Sequence, residues 1–161
     1  MLSESTLKTE LEKLLPTGVE ATAVSRLASA WTTYFYEAGV AGTPCAGGTL
    51  AGAQAGMEGA LVGMSATGQG AAKMQAGVTA FWAQVALQGA TVWPGSLAPY
   101  TPPPGLSLLS AALQAIFAAN LAGGKDLSDA AEALASALHT GGGLGGVATM
   151  PGVPPLPTPI L

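Results

Sequence analysis

Charge is what this sequence has least of. Only 9% of its residues are charged, against roughly 25% in typical soluble domains. The five basic residues, Lys8, Lys13, Arg26, Lys73 and Lys125, are scattered and form no patch. Nucleic-acid binding rests on clustered Lys and Arg that neutralise phosphates, so no nucleic-acid contact is expected. Adhesion to anionic membranes is excluded for the same reason. There is one cysteine, Cys45, and one histidine, His139. An intrachain disulfide is impossible, and no Cys/His metal cluster can be assembled. A Cys45–His139 dyad would still need an orienting partner and a shaped pocket. The plainer reading makes Cys45 a bystander thiol and puts His139 in the last turn of a helix, where a cation suits the dipole. The N-terminal run MLSESTLKTELEKLL carries acids and has no apolar core of a signal peptide.

Small residues fill the deficit. Of 161 residues, 23 are glycine, and the hydrophobic fraction is an ordinary 49%. That length suits one domain with a modest core.

One stretch imitates a nucleotide site. GTPCAGGT, residues 42–49, approaches the phosphate-loop pattern G-x-x-x-x-G-K-[ST], but Gly48 stands where the lysine belongs. The preceding segment reads as an aromatic amphipathic helix, whereas a phosphate loop follows a buried strand. The stretch is therefore a connector, with Thr49 expected to cap the next helix. The run GGGLGGVA (141–148) echoes a dinucleotide fingerprint and also lacks its strand. No cofactor, metal or catalytic residue is implied.

Periodicity predicts five or six helices. Ser3 caps the first, with Leu7, Leu11, Leu14 and Leu15 on one face and Pro16 at its end. Thr17-Gly-Val-Glu20 reads as a capping box for the second, whose face is Val24, Leu27, Trp31, Phe35 and Ala38. Trp31, Tyr34 and Phe35, with Phe81 and Trp82 further on, make an aromatic cluster that reads as core plus a neighbouring contact. The third helix, about 49–66, carries Gly52, Gly56, Gly59 and Gly63 on one face and Leu50, Met57, Leu61 and Met64 on another. Four interior glycines cost about 4 kcal/mol, a large share of a small domain's net stability. The usual compensation is close approach of another backbone. The fourth helix, about 69–88, presents Met74, Val78, Phe81 and Val85, and the third and fourth form a helical hairpin. A connector, 89–105, holds the stiff Pro102-Pro103-Pro104 run. The fifth helix, about 106–121, has Leu109, Leu113, Ile116, Phe117 and Asn120 on one side. The sixth, starting at Asp126 or Ser128, turns Leu127, Ala131, Leu134 and Leu138 inward and stops at Gly141–Gly143.

The expected architecture is thus all-α: a compact bundle over 1–140, with Gly/Pro-rich connectors, and an extended arm over 141–161. The arm has five prolines from Pro151 to Pro159 and no charge. Disordered tails depend on charge and polarity, whereas this one offers Met150, Val153, Leu156, Ile160 and Leu161. It reads as a segment laid on a neighbouring subunit.

Mean hydropathy is +0.45, which raises the alternative of a small membrane-active helical protein, such as a phage lysis protein. Spans need about 20 predominantly apolar residues. The best window, Met74–Trp93, holds Gln75, Gln84 and Gln88, and no flank shows a Lys/Arg asymmetry. Burial between protein chains accommodates an uncharged surface better, because the cores of permanent interfaces are depleted of charge. Partners are then copies of the chain itself, as a homo-oligomer, and other assembly subunits.

The order of these features carries a resemblance. The short acidic first helix is followed by W-x-x-Y-F at Trp31–Phe35, then by GALVGMSATGQGAAKMQAGVTAFW (59–82) and TPPPG (101–105). ALQAIFAANLAGGKDLSDAAEALASALHT (112–140) and a Gly-rich tail complete it. This resembles small Ala/Gly-rich virion structural proteins of tailed bacteriophages. The resemblance implies a head, neck, tail or baseplate component, a head–tail connector or capsid decoration among them, located in the virion after assembly in the host cytoplasm. It carries over no functional residues.

Overall fold

The computed structural model describes residues 2–13, 20–40, 43–46, 49–66, 68–88, 91–123, 127–150 and 156–161. Six α-helices dominate: α1 (Glu4–Glu12), α2 (Glu20–Phe35), α3 (Ala51–Leu61), α4 (Gly70–Gln88), α5 (Leu109–Gly123) and α6 (Leu127–Leu138).

The apolar periodicity places most of them correctly. In α1 the Ser3 hydroxyl accepts from the Thr6 N–H at 3.4 Å, and Leu7 and Leu11 are buried. Leu14, Leu15, Pro16 and the Thr17 capping box lie outside the described residues. Val24, Leu27, Trp31, Phe35 and Ala38 form the expected buried face. Glu37 fastens the end of α2 to the start of α1, accepting from Ser3 N at 3.1 Å and Thr6 Oγ1 at 2.7 Å.

Helix α3 is shorter than its pattern. Thr49 does not cap it; its hydroxyl donates back to the Ala46 carbonyl at 2.7 Å, and Leu50 stands at the N-cap without a side-chain bond. The helix stops at Leu61, and Gly63 takes a left-handed φ of 85°. A 3-10 turn, Pro104–Leu108, starts where proline can open a helical turn and leads into α5. A π-helical turn, His139–Gly143, follows α6.

The expectation of a purely helical chain is corrected by two small antiparallel sheets. Strands β1 (Gly39–Val40) and β2 (Thr43–Pro44) pair with each other. Strands β3 (Leu97–Thr101), β4 (Val147–Met150) and β5 (Leu156–Pro159) form a second sheet in that order. Connector and tail are too rich in proline to coil into helices, yet their backbone is partly buried. Buried N–H and C=O groups must be paired, and strand ladders supply the partners. An isolated bridge, Val40 to Ile160, joins the two sheets.

The core is continuous across these layers. Helices α3 and α4 run antiparallel, since Gly52 faces Gln88, Gly56 faces Gln84, and Leu61 faces Gly77. Phe35 sits at the centre, with ring centroids at 4.9 Å from Phe81, 5.1 Å from Trp82 and 5.7 Å from Trp93. Residues 141–161, expected to stand apart from a helical domain of 1–140, contribute Gly142, Gly143, Ala148 and Ile160 to the buried interior.

Candidate assembly surface

Three groups of residues were singled out by the sequence, and the structure places them differently. The glycines of the third helix do not share one contact. A Cβ on Gly56 would meet Gln84 Cγ at 3.0 Å, and one on Gly52 would meet Gln88 Nε2 at 3.3 Å. Both therefore lean on glutamine side chains of α4. A Cβ on Gly59 meets no described residue within 4 Å, and Gly63 lies beyond the helix. Gly59 instead opens onto a groove of about 670 Å³ between α2 and α3, with Ala21, Ala55 and Val62 among its walls.

Rings press on backbone instead at Gly142, Gly143 and Gly146, in the run that the sequence presented as a helix stop and a false dinucleotide echo. A Cβ on Gly143 would overlap the Tyr34 hydroxyl, and one on Gly146 would lie 2.7 Å from Trp82 Cη2. Gly142 is hemmed by Val78 and Trp31, and its carbonyl accepts from Trp82 Nε1 at 2.8 Å. Gly142, Gly143 and Gly146 are thus pressed against the aromatic core. A flat glycine-rich turn is what lets large rings pack against backbone.

The aromatic cluster is gathered as a group. Trp31, Tyr34, Phe35, Phe81 and Trp82 are all buried, joined by Trp93 and Tyr100. Edge-on geometries prevail, as for Trp31–Phe81 at 88° and Phe35–Trp82 at 85°. No ring of the five is exposed for stacking a ligand. Tyr34 Oη and His139 Nδ1 lie 2.7 Å apart, a pairing that no spacing in the sequence announces. Burial pushes the Tyr34 hydroxyl well above its usual pKa. Trp31 Nε1 is buried with no partner among the described residues.

Of the arm, Val153 lies outside the described residues, while Met150 and Leu156 pair in the ladder between β4 and β5. Ile160 is buried and Leu161 half exposed. The described part of the arm therefore rests on the chain's own sheet.

Cys45 and His139, the two residues weighed as a dyad, have different partners. Cys45 is buried, and that burial pushes its thiol pKa up to about 11; its Sγ contacts the Ala46 carbonyl, while His139 pairs with Tyr34. Among the described residues no group of three or more His, Cys, Asp or Glu side chains is placed to hold a metal ion. Among them, too, no helix is long and apolar enough to cross a membrane.

The surface itself is the unusual feature. Leu87 is 78% exposed, Leu108 72% and Val62 63%. From Met74 to Gly124 the sequence carries no charge, so α5 and nearly all of α4 present alanine, threonine, glutamine and leucine to the outside. Between α5 and α6 runs an open apolar groove of about 540 Å³, with Leu108, Ala112 and Ile116 on one wall and Ala133, Ala137 and Gly141 on the other. Ala112 with Ile116 on α5 and Ala133 with Ala137 on α6 are pairs four apart, each on one ridge of its helix. Away from this groove, Lys8 of α1 pairs with Glu132 of α6 at 2.7 Å.

No family model, no curated protein and no solved structure matches this chain.

Proposed function

We propose that this chain is a structural subunit of a large protein assembly, and that the assembly is the virion of a tailed phage or a related particle, as the sequence resemblance implies. The observation that carries the reading is the uncharged outer face of α4 and α5 with its exposed Leu87 and Leu108. A lone exposed leucine is ordinary, but a broad surface without charge marks an interaction site. Permanent interfaces resemble a core cut in half, depleted of charge at their centre. The open groove beside Gly59 gives a second place where another chain can approach closely.

The role is scaffolding, not catalysis: copies pack on one another or on a ring or shell of other subunits. Introducing charge at this surface tests the reading. Leu87→Glu combined with Leu108→Glu changes two exposed side chains and no core contact. The variant is expected to keep its helical circular-dichroism spectrum while losing self-association or incorporation into particles. Unchanged association in the double variant would remove the support for this face.

A further inference from the structure

From Ala38 to Gly124 the sequence carries two charges, Glu58 and Lys73. The fold brings both to the groove between α2 and α3. Glu58 stands in its wall, where the carboxylate accepts from Gln54 Nε2 at 3.0 Å and from Ser25 Oγ at 3.3 Å. Lys73 arrives from α4. Its Cε and Nζ lie 3.7 and 3.9 Å from where a Cβ on Gly63 would stand, and Gly63 lines the same groove beyond the last turn of α3. Both side chains are half-buried. Neither has an ionic partner among the described residues.

An anion and a cation at different points along one apolar groove are complementary to the same groove turned end for end. The relief of the groove is complementary to itself as well. Val62 protrudes from its wall, 63% exposed, while Gly59 has no described atom within 4 Å of its Cβ position. A two-fold axis sets a second α3 antiparallel to the first, each contact then occurring twice. The register that seats Val62 of one copy against Gly59 of the other also sets Glu58 against Gly63, beside which Lys73 lies. One alignment thus joins a knob to a hole and an acid to a base.

We propose that the α2–α3 groove is a two-fold contact with a second copy of this chain, in which Glu58 of each copy pairs with Lys73 of the other and Val62 of each fills the space over Gly59 of the other. The inference rests on the reading of the chain as an assembly subunit and names one of its contacts. Removal of Val62 and the apolar walls from water supplies the affinity. The ion pairs are partly exposed and modest in energy. Their part is to fix register and direction, since a shifted or parallel alignment leaves each charge facing an apolar wall.

Charge exchange on the full chain tests this. Glu58→Lys alone sets lysine against lysine at both pairs, and Lys73→Glu alone sets acid against acid. Each variant is expected to keep its helical circular-dichroism spectrum and to self-associate roughly tenfold more weakly in analytical ultracentrifugation. An equimolar mixture of the two restores both pairs and is expected to associate about as tightly as the unmodified chain. A mixture no tighter than either variant alone would overturn the two-fold contact, and so would single variants that associate like the unmodified chain. Unchanged self-association with lost incorporation into particles would give the groove to a different subunit. Should either variant unfold, Gly59→Cys and Val62→Cys in separate Cys45→Ala chains decide: a disulfide hybrid forming faster than in a Thr79→Cys plus Val62→Cys control supports the contact, and equal rates overturn it. If the unmodified chain still forms oligomers after such a failure, only this inference falls; a monomer at every concentration removes the assembly reading as well.

Discussion

Trp82 and Gly142, sixty residues apart, are joined by a hydrogen bond of 2.8 Å from the indole Nε1 to the backbone carbonyl. It pins the turn after α6 onto α4, and two neighbours of Gly142 explain why that turn is glycine. Gly143 lies under the Tyr34 hydroxyl and Gly146 under the Trp82 ring.

Gly143→Ala or Gly146→Ala is therefore expected to lower stability by about 2–3 kcal/mol, the upper range for overpacking a filled core. Chemical denaturation with an unchanged m-value would measure it. In a Tyr34→Phe background the loss from Gly143→Ala should shrink, because the atom it strikes first is gone. Equal losses in both backgrounds would place the strain elsewhere.

Gly59→Ala is expected to act in the opposite direction. No described atom opposes the new methyl, and alanine exceeds glycine in a helix interior by about 1 kcal/mol. Gly77→Ala should destabilise, because its Cβ meets Leu61 Cγ at 3.0 Å and Met57 Cγ at 3.3 Å. Thermal unfolding of the two variants gives the comparison. Gly59→Leu should leave the fold intact while blocking the α2–α3 groove, so a mass measurement on it reads assembly separately from folding.

Ile160→Ala should cost about 2–5 kcal/mol, the usual loss for emptying a buried isoleucine site. Leu161→Ala, at a half-exposed side chain, should cost far less. Equal small effects from both would mean that the chain end contributes nothing to the core. Removing residues 144–161 should destabilise the fold as well, because Ala148 and Ile160 are buried.

Stability should fall on the alkaline side. Burial raises the Cys45 thiol from an ordinary 9.0 to about 11 in the folded chain. Above pH 9 the unfolded thiol ionises while the folded one stays protonated, so the unfolded state binds fewer protons and stability declines as pH rises through that window. The buried Tyr34 hydroxyl, also shifted upward, acts in the same sense at higher pH. Cys45→Ala should flatten the decline between pH 9 and 11 in denaturant titrations. The wild-type thiol should also react slowly with alkylating reagents at pH 8 until the protein unfolds.

The helices were legible because amphipathic spacing survives in the sequence wherever one face is buried: Leu7 with Leu11, Trp31 with Phe35, and Met74 with Val78 and Phe81 all point inward as read. The small strands were not. Prolines in 97–101 and 156–159 hide the period-two pattern, and pairing between Leu97–Thr101 and Val147–Met150 spans a separation that no local signal reports. Glycine was the least transparent residue. At Gly52 and Gly56 it admits glutamine side chains, at Gly59 it is open, and at Gly143 and Gly146 it admits aromatic rings. Identical residues at different places thus serve different packings, and only tertiary neighbours separate them. Of the candidate surface, lack of charge was visible at once, whereas the exposure of Leu87 and Leu108 depends on which side of α4 and of the turn before α5 faces outward.

The most direct measurement of the central claim is the mass of the tag-free protein by light scattering, over a series of concentrations, with and without detergent. A structural subunit predicts a discrete oligomer that grows with concentration and forms without detergent. A strict monomer at all concentrations, or a protein that stays in solution only with detergent, would contradict it.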